Sequence, residues 1–210
     1  MSAFQTTVTS EAELRALIGG EPSPLALAKE QSTLDVHCRN FIARSPFVVL
    51  ATSNAAGQCD VSPKGDAPGF VLVLDEHRVL IPDRPGNKRL DGMRNLLQNP
   101  HVGLIFLIPG MEETLRVNGR GSIVRDPELL ARCEVRGKVP TLGIGVEVEE
   151  AFIHCAKAFK RSGLWEPERW PTLEGMASPA RMLFDHTRPP GTTVEELDRV
   201  LQDGYRKRLY

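Results

Sequence analysis

The sequence predicts a mostly β protein with helical arms, an α+β fold built on an antiparallel β-barrel. Two observations lead there. The middle of the chain is a series of short apolar runs separated by turn residues, with few long crossovers, which favours a barrel over a parallel sheet. The two ends carry helix-capping patterns and amphipathic spacing instead. On this reading residues 1–45 form an N-terminal helical arm, 46–155 the barrel, and 156–210 a C-terminal helical extension packed on the same domain.

In the first region, Ser10 to Glu13 has capping-box spacing, with Glu13 placed to reach the Ser10 amide. Leu14, Leu17 and Ile18 follow on one face, and Gly19-Gly20 stops the helix. A second helical piece follows Pro24, a third runs from about Leu34 to Arg44, and Pro46 ends the region. Phe47 to Thr52 is β-rich, Ser53 to Gly57 a turn, and Gln58 to Ser62 a returning strand. Gly69 to Leu74 and Arg78 to Ile81 form a further hairpin around Asp75-Glu76-His77. One helix interrupts the strands. It begins near Asn87-Lys88, carries Leu90, Met93, Leu96 and Leu97 on one face, and ends at Asn99-Pro100. His101 to Ile108, Glu113 to Val124 and Val146 to Ile153 complete the strands, with a short Pro127-led helix between the last two. In the polar tail, Thr193 and Glu196 have capping-box spacing, followed by Leu197, Val200 and Leu201 on one face.

Composition excludes several classes. The chain has 210 residues, 41% hydrophobic and 25% charged, with a formal net charge of −1. That is enough apolar residue to build a core. It leaves no global basic field for nucleic acid or an anionic membrane. The longest apolar runs, Phe47 to Ala51 and Val102 to Ile108, are far too short to span a bilayer. The N-terminus has no basic stretch leading into an apolar one, so no signal peptide is expected. The four cysteines form no CxxC pair, which suits reduced cysteines and a cytoplasmic location. The histidines are scattered, and no metal site is expected. There is no P-loop, no GxSxG elbow and no HExxH; Gly143-Ile144-Gly145 lacks the third glycine of a dinucleotide fingerprint.

Three segments carry chemistry. Asp83 to Arg89 places Arg84, Lys88 and Arg89 between a strand and the start of a helix. Cations in a helix's first turn oppose its dipole, unless an anion such as phosphate occupies the spot. The alternative is a solvated basic turn. Ser62 to Gly69 is a polar Gly/Pro-rich loop between apolar strands, the kind a rigid scaffold positions for function; the alternative is an ordinary connection with an exposed Lys64. His154 to Trp165 sets a tryptophan after a basic stretch, suited to covering a planar anionic cofactor or, alternatively, to packing Phe159 and Trp165 into the core.

Taken together, these segments resemble the pyridoxamine 5′-phosphate oxidase-like, FMN-binding split-barrel family. The resemblance is carried by FVVLATSNAAGQCDVSPKGDAPGFVLV, LIPDRPGNKRLDGMRNLLQNPHVGLIF and ETLRVNGRG, within Phe47 to Val124. The tail HCAKAFKRSGLW resembles a subgroup signature. The resemblance implies an antiparallel split β-barrel, a homodimer with FMN at its interface, and a phosphate grip at Asn87, Lys88 and Arg89 with Arg84 close by. It implies that Pro82 and Asp83 line the flavin, and it sets Thr114 where the family has a flavin-reaching glutamine. The family's arginine-rich strand is not matched; Gly69, Phe70 and Val71 lie there, leaving Ser62 and Lys64 as side-chain candidates. Arg161 and Trp165 complete the cofactor set. The family's C-terminal arginine/histidine set is not found in Arg206 to Tyr210, which argues against pyridoxamine phosphate as substrate. The expected function is an FMN-dependent oxidoreductase acting on a small-molecule substrate or reduced nicotinamide, with no identified general acid or base. The alternative is a non-catalytic FMN or deazaflavin carrier.

Overall fold

The computed structural model describes residues 4–210. Seven antiparallel strands form one sheet in the order β2-β1-β5-β6-β7-β4-β3. The strands are β1 (Phe47–Ser53), β2 (Cys59–Gly65), β3 (Leu72–Val73), β4 (Arg78–Pro82), β5 (His101–Leu107), β6 (Thr114–Val124) and β7 (Gly143–His154). The sheet curls but does not close, since β2 and β3 are its two ends. This is a split barrel with helices, the α+β architecture expected from the sequence.

Alternation builds the core. On β1 the inward residues are Val48, Leu50 and Thr52; on β5 they are Val102, Leu104 and Phe106. Leu115 and Val117 of β6 join them. Each points to the same face because side chains in a strand repeat with period two. Between Asn118 and Gly119 the β6–β7 register shifts, a bulge that bends both long strands and tightens the curl. The helix α3 (Val36–Ile42) closes the barrel with Phe41 and Ile42, and Leu34 just before it is fully buried.

Several expected boundaries move. β2 continues through Pro63 and Lys64 to Gly65, so half of the supposed Ser62–Gly69 loop is strand. β2 is an edge strand, where a proline's missing N–H costs no ladder bond. The expected Gly69–Leu74 strand shrinks to the two residues of β3. β7 starts at Gly143, three residues before the expected Val146. A Cβ on Gly143 would meet a Leu80 methyl at 2.8 Å, and one on Gly145 a Val124 methyl at 2.8 Å. These glycines serve close packing between strands.

The interrupting helix, α4 (Asp91–Leu96), starts later than expected. Leu90 is its N-cap in the left-handed conformation, with φ 59° and no side-chain cap. Only Met93 and Leu96 are buried; Leu90 and Leu97 are exposed. Lys88 and Arg89 therefore lie outside the helix, and the first-turn dipole argument does not apply to them.

The arms are helical. α1 (Glu11–Ile18) is capped by Ser10, which accepts from the Glu13 amide, while the Glu13 carboxylate takes the Thr9 amide and not that of Ser10. α2 (Pro24–Ala28) follows. After β6 comes α5 (Pro127–Ala131), and after β7 comes α6 (Lys157–Ser162). A short 3-10 turn, Pro167–Arg169, leads to α7 (Pro179–Thr187) and α8 (Val194–Lys207). Thr193 and Glu196 form the expected capping box of α8. Among the described residues no helix is long and apolar enough to cross a membrane.

Candidate functional site

A cavity of about 570 Å³ opens where β1, β2 and the 83–90 segment meet α4. That volume falls in the range of small-molecule and cofactor sites. One wall is β2. With period two, Asp60, Ser62 and Lys64 turn to the cavity while Cys59, Val61 and Pro63 turn out. The floor is apolar, from Leu50, Met93 and Ile144. The rim is the run Asp83 to Asp91.

The rim is polar and irregular. Lys88 and Leu90 both have positive φ, 60° and 59°. The Asn87 side chain accepts from the Arg89 amide, an Asx turn that curls the backbone. Among the described residues, the amides of Gly86, Asn87 and Lys88 meet no acceptor of the chain. Free amides beside cations are what a phosphate requires.

The cations differ in their state. Arg84 donates its Nε to Asp66 at 2.7 Å and its Nη1 to the Cys133 carbonyl at 2.9 Å. Arg89 donates to Asp91 at 2.7 Å, with its side chain largely in solvent. Among the described residues, Lys64 and Lys88 have no carboxylate within ion-pair distance. Burial pushes the Asp83 carboxyl above its ordinary pKa, and Lys64 pulls it only part of the way back.

Side chains of α4 and of the segment after it are tied to β1. Asn95 donates to the Thr52 hydroxyl at 3.1 Å, and Asn99 to the Ser53 hydroxyl at 2.8 Å.

The Asp66 carboxylate anchors Arg84 from behind. Burial raises its pKa, but hydrogen bonds from Tyr210, the Ala67 amide and Arg84 outweigh that and hold it below the ordinary 3.8. A depressed carboxylate pKa stabilises the fold above the unfolded-state value, and that stabilisation is lost as pH falls through the folded value. Thermal unfolding midpoints measured from pH 7 down to 3 should show Asp66→Asn below wild type at pH 7, with the gap narrowing below about pH 4. A gap that stays constant with pH would separate Asp66 from the acid response.

The structure brings Ser62, Lys64, Asp83, Arg84, Asn87, Lys88 and Arg89 to one cavity. Pro82 is buried in the sheet opposite Gly143, one residue before the lining begins. Thr114, Arg161 and Trp165 lie elsewhere. Thr114 is buried at the start of β6, paired with His154. Ile144, in the cavity floor, is ten residues away along β7, about 30 Å at the usual strand rise. Arg161 is exposed on α6. Trp165 stacks on Phe159 at 5.8 Å and donates to the Met111 carbonyl at 2.9 Å. Across from Thr114, the Nδ1 of His154 is buried with no hydrogen-bond partner among the described residues.

Sequence reasoning missed Asp60 and Asp91. Asp60 stands two residues before Ser62, so a longer β2 would have found it. Asp91 is the partner that neutralises Arg89.

A curled, unclosed antiparallel sheet with a polar-rimmed cavity beside an edge strand defines the class of split-barrel proteins. The family is specific: residues 34–155 match the pyridoxamine 5′-phosphate oxidase family, and the chain belongs to it. No curated protein matches the chain. Among solved structures, a putative pyridoxamine 5′-phosphate oxidase from Lactobacillus delbrueckii is 20% identical, covering 58% of this chain and 95% of that one, with a TM-score of 0.47. HupZ from Group A Streptococcus is 18% identical, covering 57% and 92%, with a TM-score of 0.46. An FMN-binding protein from Syntrophomonas wolfei is 12% identical, covering 56% and 81%, with a TM-score of 0.42.

Proposed function

We propose that the protein binds FMN in this cavity and acts as an FMN-dependent oxidoreductase on a small-molecule substrate or reduced nicotinamide, in the cytoplasm. The observation that carries the reading is the 84–90 rim: Gly86, Asn87, Lys88 and Arg89 line a cavity of cofactor size, and among the described residues the amides of the first three meet no acceptor of the chain. Lys88, Arg89 and the free amides would hold the phosphate. Ser62 would offer a hydroxyl and Lys64 a fixed positive charge to the ring system. FMN supplies hydride acceptance and release when bound. Lys64, half-buried in the cavity wall, would favour whichever state of the bound group carries more negative charge.

The working unit we propose is a homodimer. One chain holds the expected cofactor residues in two separated places, and a second copy would supply the Trp165 end to the cavity of the first. The outer face of β2-β1-β5 supports this. Val61, Ile105 and Phe47 are 64%, 40% and 38% exposed. With Val49 and Pro63 between them in register, they make a continuous apolar sheet face of the kind that marks association.

The test is the visible absorption spectrum of the purified protein before and after adding FMN, with the mass read by light scattering on the same sample. A flavin spectrum perturbed by the protein, on a dimer, is expected. No bound flavin and no perturbation overturn the FMN reading. Bound flavin that neither NADH nor NADPH reduces favours a carrier.

A further inference from the structure

The last residue of the sequence is not loose. The Tyr210 phenol donates to Asp66 Oδ1 at 2.6 Å. The other oxygen of that carboxylate accepts from Arg84 Nε at 2.7 Å. The Tyr210 ring lies 5.7 Å from the Arg84 guanidinium and 5.0 Å from that of Arg136. Lys138 donates its ammonium to the Tyr210 main-chain oxygen at 2.7 Å. Leu209, one residue earlier, is 58% exposed, so Tyr210 alone among these two is drawn in.

A guanidinium is planar, with donors on its edges and a face that stacks on rings. In Arg84 two of the donor groups and the face are engaged. One edge meets Asp66, another the Cys133 carbonyl at 2.9 Å, and the face meets Tyr210. The Asp66 and Arg84 side chains are only 2% and 17% exposed, so this is not an ordinary surface pair that solvent and salt would cancel. Arg84 also sits in the wall between the cavity described above and a second one of about 230 Å³, bounded by Pro85, Lys138, Thr141 and Tyr210. The group that Tyr210 contacts thus belongs to the rim itself.

We propose that Tyr210 is a positioning residue: pinned by Asp66, Lys138 and Arg136, it locks Arg84 and so holds the 83–90 rim in its ligand-ready shape. The proposal rests on the FMN reading for its ligand and not for its mechanics. A rim ordered beforehand does not incur that ordering cost when the phosphate arrives. Removing the tyrosine frees a long, flexible arginine and loosens the turn beside it.

Two measurements on the full chain test this. The first is hydrogen exchange on the ligand-free protein, read at the Asp83 and Arg89 amides, which bond to the Leu142 carbonyl and the Asn87 side chain. The second is FMN affinity by fluorescence titration. Tyr210→Ala should speed exchange at 83–90 several-fold while leaving exchange in α1 unchanged. It should weaken FMN binding about fivefold, the scale of one lost hydrogen bond. Tyr210→Phe, which keeps the ring over Arg84, should fall between wild type and Tyr210→Ala. The Arg84→Ala, Tyr210→Ala double variant should bind no more weakly than Arg84→Ala alone, because the tyrosine acts through the arginine. Unchanged exchange at 83–90, unchanged FMN affinity, or additive losses in the double variant would overturn the proposal. Faster exchange in a protein that binds no FMN would sink the FMN reading and leave the positioning of the rim intact.

Discussion

Gly119→Ala is expected to unfold the protein at temperatures where the wild type is stable. Gly119 faces inward on β6 at the register shift, opposite Val148. A Cβ there would press on the Glu147 carbonyl oxygen far inside van der Waals contact, with the carbonyl carbon at 3.0 Å and the Val148 Cα at 3.2 Å. All three neighbours are backbone, so no rotamer change relieves the clash. The only relief is to part β6 from β7, the two longest strands of the sheet. Overpacking a core ordinarily costs about 1–3 kcal/mol where side chains can adjust; backbone contact places this site at or above the top of that range, about 3 kcal/mol or more. Chemical denaturation of the soluble variant should show a midpoint well below wild type with a similar slope. Gly110→Ala is the control, since a Cβ there meets nothing within 4 Å. Its φ of 84° still imposes a backbone cost, about 1 kcal/mol. Gly119 has no such conformation to lose, so equal losses in the two variants would mean that the bulge relaxes around the added methyl and the packing argument fails.

That glycine illustrates what the sequence conveys and what it hides. Phe47 to Thr52 and His101 to Ile108 were readable as short apolar runs, and Glu113 to Val124 by its alternation, because burial writes itself into the pattern. Caps were readable at Ser10 and at Thr193 with Glu196, because their hydrogen bonds are local. The failures are all places where tertiary packing overrode local preference. Pro63 looks like a breaker but sits harmlessly on an edge strand. Gly143 and Gly145 look like loop residues, yet β7 needs them so that Leu80 and Val124 can approach. The 83–90 rim was legible in composition, with its cations in place, but not in conformation. The left-handed turns at Lys88 and Leu90 move both cations out of the helix. The anion argument therefore stands on free amides, not on a dipole. The separation of Thr114, Arg161 and Trp165 from the cavity was invisible to any local pattern, because it depends on how far β6 and β7 run.

Arg89→Ala is expected to weaken FMN binding about 10- to 100-fold, or roughly 1.5–3 kcal/mol, the worth of a charge-assisted hydrogen bond together with what its loss exposes. Two effects add. The variant loses a guanidinium that reaches the cavity, and it leaves the Asp91 carboxylate, now paired with Arg89 at 2.7 Å, without its cation beside the phosphate position. Solvent screens both, since the Arg89 side chain is 72% exposed, and so the lower half of that range is the better expectation at physiological salt. The pairing makes a second, opposite prediction. Asp91→Asn removes the competing carboxylate, frees Arg89 and should tighten FMN binding. Arg89→Lys keeps the charge but not the two-pronged donor geometry, and should fall between wild type and alanine. Fluorescence titrations of FMN against the three variants at two salt concentrations test the set. An Arg89→Ala dissociation constant equal to wild type, with Asp91→Asn also unchanged, would remove the phosphate from this rim. Loss in the first with gain in the second places the anion between Lys88 and Arg89, beside the three amides that, among the described residues, meet no acceptor of the chain.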